Sequence, residues 1–114
     1  YREKLSGIKG LMFLNDLSET SHAYTYFPVL IDESLYGMTR DEVYNLLKSH
    51  NIYGRRYFYP LISQFPTYRG LPSSQPENLP VATRVAGQVI CLPLYPALEQ
   101  VTVDRIAEIL KNKR

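Results

Sequence analysis

Apolar residues along this chain recur at helical spacing in three main stretches and alternate in two others. The clearest alternation runs from His22 to Ile31. Tyr24 and Tyr26 point one way, and Phe27, Val29 and Ile31 point the other, with Pro28 marking a one-residue slip at an edge or bulge. A second strand is expected over Ile52–Ile62, again broken by a proline, Pro60. Residues 1–5 form a last helical turn stopped by Ser6-Gly7. Residues 8–22 mix an apolar patch, Ile8 and Leu11 to Leu14, with polar loop residues. Asp32 to Met38 form a turn.

The helices have their own signals. Thr39-Arg40-Asp41-Glu42 is a capping box, with Thr39 bonding the Glu42 amide and Glu42 reaching back. The helix it opens runs to His50, carries Val43, Leu46 and Leu47 on one face, and stops at a left-handed Asn51. Pro80 suits a first helical turn, and Ala82, Val85, Ala86 and Val89 follow at helical spacing. Ile90–Pro96 is a short extended run. The last helix opens at Val101 or Thr102 with Val103, Ile106, Ala107 and Leu110 as its stripe. Lys111, Lys113 and Arg114 then suit the negative end of its dipole. Residues 63–79 are a polar, proline-rich loop, long for a compact domain, and loops of this kind are functional lids or disordered segments. Strands interleaved with helices give an α/β (α+β) class, a small sheet with helices on one face.

Composition narrows the picture. The chain has 114 residues, 45% hydrophobic and 21% charged, which fits one ordered domain. Thirteen basic against 11 acidic residues leave a net charge of +2, too balanced for a nucleic-acid footprint made of charge alone. One cysteine, Cys91, excludes an internal disulfide framework and points to a reducing, cytoplasmic compartment. No stretch is long and apolar enough to be a membrane helix, and no signal peptide opens the chain. The helical start at Tyr1, without a methionine, suggests a piece of something longer. Ten tyrosines, four phenylalanines and no tryptophan form an unusual aromatic set, suited to half-buried walls and clefts.

The chemistry is sparse. His22, His50 and Cys91 lie far apart, without the close-spaced pairs that structural zinc needs. Gly7 and Gly10 neither follow a strand nor carry a P-loop Lys-Ser/Thr. Asp32-Glu33 and Asp41-Glu42 are explained by turn and cap chemistry. The strongest candidate is Arg55-Arg56-Tyr57-Phe58-Tyr59-Pro60. Two guanidiniums beside three aromatics can grip phosphates and stack on a base. The competing reading is a strand that buries its aromatics while the arginine stems lie along them. A stand-alone nucleotide or single-stranded nucleic-acid binding module with an aromatic sheet remains open on this segment. So does an aromatic interface for another chain, built from Tyr24, Tyr26 and Tyr57.

The order of these segments carries a resemblance. His22-Ala-Tyr-Thr-Tyr-Phe-Pro-Val-Leu30, Thr39 to Val43, Asn51-Ile52, Arg55 to Leu61, Leu79 to Ala82, Leu92-Pro-Leu-Tyr-Pro96 and the Val103–Leu110 helix occur in register. Together they resemble the C-terminal domain of the DegT/StrS family of pyridoxal-phosphate-dependent nucleotide-sugar aminotransferases, over nearly the whole chain. The resemblance implies a single small domain over residues 1–114, with 1–6 ending the interdomain helix. It implies a homodimeric parent whose N-terminal large domain holds pyridoxal phosphate and the Schiff-base lysine. Glutamate is the implied amino donor and a keto-sugar nucleotide the acceptor. Arg55, Arg56, Tyr57, Phe58 and Tyr59 are the implied substrate contacts. Many relatives carry a His-Tyr-x-Pro-Leu-His pattern there, and this chain has Tyr57, Phe58 and Ile62 at the first His, the Tyr and the second His. The version seen here looks more like members acting on deoxysugars linked to thymidine diphosphate. The loop 63–79 is expected to order against the large domain. Lys4, Lys9, Lys48, Lys111 and Lys113 lack the Ser- and Gly-rich surroundings of the family's cofactor lysine, so no catalytic residue and no bound cofactor are expected in this chain alone.

Overall fold

A computed structural model describes all residues 1–114. Its elements are α1 (Arg2–Leu5), β1 (Leu11–Phe13), β2 (Phe27–Ile31), α2 (Glu33–Tyr36), α3 (Arg40–Ser49), α4 (Pro80–Gln88), β3 (Val89–Leu92) and α5 (Gln100–Asn112). The three strands form one antiparallel sheet in the order β1-β2-β3. Leu11, Val29, Ile31, Ile90 and Leu92 lie on one face of it and enter a single cluster of 14 buried residues. Leu5 of α1, Val43 and Leu47 of α3, and Ile106, Ala107, Ile109 and Leu110 of α5 supply the helical side. This is the small α/β sheet with helices on one face that the periodicity indicates. No helix is long and apolar enough to cross a membrane.

Local signals explain several boundaries. The α3 capping box is complete: Glu42 N–H donates to Thr39 Oγ1 at 3.1 Å, and Thr39 N–H donates to Glu42 Oε2 at 2.7 Å. Asn51 takes the left-handed conformation after α3, with φ 60°. The stripe on α5 is buried as expected, with Ile109 added. On α4 only Ala86 is buried; Ala82 faces solvent and Val89 already belongs to β3.

The strands depart from expectation in three ways. β1 emerges from the mixed patch 8–22, and the strand expected over 22–31 begins only at Phe27. Pro28 causes no slip. The register runs unbroken through Phe27↔Leu92, Pro28↔Cys91 and Val29↔Ile90. Proline is tolerated in this central strand because Pro28↔Cys91 is a pair that exchanges no hydrogen bonds, and β1 has already ended at Phe13↔Val29.

The expected strand Ile52–Ile62 reduces to one bridge, Arg55↔Cys91. The outer edge of β3 explains why. Cys91 exchanges both backbone bonds with Arg55, at 2.9 and 2.7 Å. One step along that edge, the Val89 carbonyl accepts from Arg40. One step the other way, Pro93 has no N–H, and its carbonyl accepts from the Tyr1 hydroxyl at 2.9 Å. Only one residue on the edge is free to pair. The turn expected over 32–38 contains α2, capped by Asp32 through Ser34 N–H at 3.0 Å. Residues 63–79 remain a loop without buried residues, folded into short 3-10 turns at Ile62–Gln64, Pro72–Ser74 and Pro76–Asn78.

Candidate functional site

The segment Arg55–Tyr59 leaves the sheet edge at Arg55, and its side chains part to two sides. On one side lie Arg56 and Tyr59. Arg56 Nη1 donates to Asp41 Oδ1 at 2.9 Å, and its guanidinium sits 4.5 Å over the Tyr44 ring. Tyr59 lies 4.5 Å beneath the guanidinium of Arg40, the first residue of α3. Arg40 is 3% exposed, and its Nη1 donates to the carbonyls of Ala86 at 3.0 Å and Val89 at 3.2 Å. Its Nε rests 2.8 Å from Asp41 Oδ1, close enough for ion pairing though not aligned as a hydrogen bond. Asp41 therefore sits between two guanidiniums.

On the other side lie Arg55 and Tyr57. Arg55 Nη1 donates to the Tyr57 hydroxyl at 2.7 Å, and its guanidinium stands 5.5 Å from the Tyr57 ring centroid. Tyr57 meets Tyr26 edge to face at 5.1 Å and stacks on Phe58 at 5.2 Å. Phe58 is 71% exposed. Arg55 has no carboxylate partner, whereas Arg56 does. Arg56 thus fits the structural reading of the motif, and Arg55, Tyr57 and Phe58 form the part that remains available to a ligand.

The tyrosine wall expected from Tyr24, Tyr26, Tyr53, Tyr57 and Tyr59 is divided. Tyr26 and Tyr53 line one cavity together with Arg55. Tyr24 turns instead to the loop before β2, where its hydroxyl donates to Asp16 at 3.0 Å beside Arg2 and His22. His22 accepts from the Leu17 N–H at 3.1 Å, His50 caps α3 and Cys91 is buried in β3. No three His, Cys, Asp or Glu side chains converge. Burial raises the Cys91 thiol pKa, against the lowering effects of the Tyr57 backbone N–H and the Arg55 charge.

Sequence reasoning missed Arg40 and Tyr95. A signal existed for the first: a basic residue in the first turn of a helix opposes the dipole and wants another reason to be there. Tyr95 sits in the Leu92–Pro96 motif, which carried no chemistry until the fold brought it beside Tyr53 and Arg55.

Burial acts to raise the Asp41 carboxyl, but the hydrogen bond from Arg56 and the charges of Arg40 and Arg56 outweigh it and hold the group below its ordinary 3.8. A depressed folded value stabilises the fold above the unfolded value, and that contribution disappears as pH falls through the folded one. The difference in urea midpoint between the parent chain and Asp41→Asn is therefore expected at pH 7 and should shrink below about pH 4. A difference that does not change with pH would remove this electrostatic role.

All five lysines are exposed. Lys4 pairs with Asp104 at 2.7 Å, and Lys113 bonds the Tyr36 carbonyl. None occupies a buried cleft of the kind a Schiff-base lysine requires, so the residues present do not fit the aldehyde side of pyridoxal phosphate.

The family model that matches is described as the DegT/DnrJ/EryC1/StrS aminotransferase family, over residues 1–111. The chain is 46% identical over 113 residues to a dTDP-4-amino-4,6-dideoxy-D-glucose transaminase of Escherichia coli, covering 99% of this chain and 30% of that protein. It is 34% identical to a transaminase of the same description from Shigella dysenteriae, covering 98% of this chain and again 30% of the relative. Among solved structures, DesI crystallised in the presence of its TDP-sugar product superposes with a TM-score of 0.87 at 31% identity, over 97% of this chain and 28% of DesI. The chain thus spans about a third or less of the length of these relatives. With that family match running from Tyr1 almost to the end, the chain belongs to the DegT/DnrJ/EryC1/StrS aminotransferase family.

Proposed function

We propose that the whole protein is a pyridoxal-phosphate-dependent aminotransferase that moves an amino group from glutamate to a keto-sugar nucleotide, a deoxysugar linked to dTDP. The observation that carries this reading is the 46% identity, across 99% of the chain, to a transaminase named for a dTDP-amino-dideoxyglucose. In this reading residues 1–114 are the C-terminal small domain, residues 1–6 end the helix that joins it to the large domain, and the enzyme works as a cytoplasmic homodimer. The cofactor lysine belongs to the large domain. This chain binds and orients substrate. Arg55 takes a phosphate, Tyr57 and Phe58 face the sugar nucleotide, and Arg56 and Tyr59 support the segment from behind. The exposed Phe65, Tyr68 and Leu71 supply the apolar surface by which the loop 63–79 docks on the large domain.

The nucleic-acid module loses the platform it needs. An aromatic sheet requires its rings on neighbouring strands, and Ile52–Ile62 contributes one bridge. The test is amino transfer by the full-length protein, supplied with pyridoxal phosphate, glutamate and dTDP-4-keto-6-deoxyglucose. The expected result is 2-oxoglutarate released in step with sugar consumed. No release with that acceptor or with UDP- and GDP-linked keto-sugars would overturn the reading.

A further inference from the structure

We infer that Asp41, on the first turn of α3, is a positioning residue for the reaction: through Arg56 it holds in place the segment whose Tyr57 and Phe58 face the sugar nucleotide. The inference rests on the sugar-nucleotide reading above and names the group that keeps those two contacts where they are.

The segment needs such a hold. From Arg56 to Pro60 no backbone group bonds to another backbone group. The last such bonds before it are the exchange between Arg55 and Cys91, and the first after it is the Leu61 carbonyl accepting from Gln64 at 2.9 Å. A stretch with neither ladder nor helix is placed by its side chains. On one side Tyr57 and Phe58 stack on each other and present a surface. The anchor lies on the other side.

There Asp41 Oδ1 accepts from Arg56 Nη1 at 2.9 Å and lies 2.8 Å from Arg40 Nε, so one oxygen faces both cations. Arg40 is fixed, since it is buried and bonded to the carbonyls of Ala86 and Val89. Arg56 is half-buried and belongs to the unladdered segment. The carboxylate thus ties a movable cation to an immobile one. Tyr59 lies close to both, 4.5 Å from the Arg40 guanidinium and 5.5 Å from that of Arg56. Without Asp41 two like charges would stand next to each other with nothing between them. Arg56 is the one free to retreat, and Tyr57 and Phe58 follow it in sequence. An ion pair as exposed as this one adds little to stability. Its weight is positional, because a displacement of about 1 Å in groups that orient a substrate can cost on the order of 100-fold.

The experiment uses the full-length enzyme and follows two reactions separately: 2-oxoglutarate released from glutamate in a single turnover without acceptor, and amino transfer to dTDP-4-keto-6-deoxyglucose. Asp41→Ala should raise the KM for the keto-sugar nucleotide by roughly 10- to 100-fold, leaving kcat and the glutamate turnover near those of the parent. Asp41→Glu keeps the carboxylate and should recover most of the loss. Arg56→Ala should raise the same KM, and the double variant should be no worse than the worse of the two, because both remove one hold. Arg56→Ala leaves Asp41 paired with Arg40, so it carries the test if Asp41→Ala does not fold. If transfer proceeds and the folded variants keep the parental KM, or lose both reactions alike, the positioning role is overturned while the transaminase reading stands. Additive effects in the double variant overturn it too, since Asp41 would then not act through Arg56. If the parent aminates no sugar nucleotide, the transaminase reading fails and the positioning role fails with it.

Discussion

Arg40→Ala is expected to lower the unfolding free energy by about 2–6 kcal/mol, the range for leaving two buried carbonyls without their donor. The reason begins with the end of α4. Many helices close on a left-handed glycine or asparagine that satisfies their last carbonyls. α4 instead runs straight into β3, with Val89 in extended conformation at φ −80° and ψ 133°. Its orphan carbonyls need donors from elsewhere. Arg40 Nη1 donates to one of them, Ala86, and to the Val89 carbonyl just beyond the helix, and it brings positive charge to the negative end of the helix. Truncation leaves these carbonyls buried without that donor, at about 1–3 kcal/mol each, and removes the cation lying over Tyr59. Arg40→Met separates the contributions, because it keeps most of the apolar stem and loses only the head. Urea unfolding followed by circular dichroism should place Met close to Ala. A methionine variant within about 1 kcal/mol of the parent would mean that packing, not hydrogen bonding, explains the burial.

The same arginine shows why part of this fold is legible in the sequence and part is not. A capping box is local: Thr39 and Glu42 are three residues apart and need nothing else, so α3 and its start are readable. The stripe of α5 is equally local. Whether Ile52–Ile62 pairs as a strand depends on a different segment, the outer edge of β3, where Arg40, Tyr1 and Pro93 leave Cys91 as the only free partner. Aromatic residues raise strand propensity, but they cannot create an edge to pair with. The candidate site divides in the same way. The motif Arg55–Tyr59 is visible as chemistry in the sequence. That Arg56 is spent on Asp41 and that Tyr53 and Tyr95 share a cavity with Arg55 follow from contacts across the fold. The excess of tyrosine likewise dissolves into separate jobs, among them the buried Tyr36, whose hydroxyl donates to the Leu110 carbonyl at 2.5 Å.

Gly10→Ala is expected to be severely destabilising, although the sequence offers Gly10 only as an unremarkable loop residue. Gly10 has φ +81°, in the left-handed region where a Cβ costs about 1–2 kcal/mol. That strain alone is survivable. The surroundings are the larger problem. A Cβ would lie 2.4 Å from the Tyr36 nitrogen and 2.8 Å from the Asp32 carbonyl oxygen, both backbone atoms. Neither can move alone. Asp32 N–H donates to the Gly10 carbonyl at 2.8 Å, Asp32 caps α2, and Tyr36 ties α2 to the end of α5. Making room means displacing α2 from β1 and α5 together. Strain and clash together should exceed about 4 kcal/mol, a large share of the roughly 0.05–0.15 kcal/mol per residue that stabilises a domain. Gly7→Ala is the matched control. Gly7 has φ +79°, but nothing lies within 4 Å of its Cβ position, so only the strain remains. Thermal unfolding followed by far-ultraviolet circular dichroism and urea midpoints of the two variants should differ sharply, with Gly7→Ala close to the parent and Gly10→Ala far below it. Equal losses would show that the left-handed backbone alone, and not the approach of α2, requires glycine at position 10.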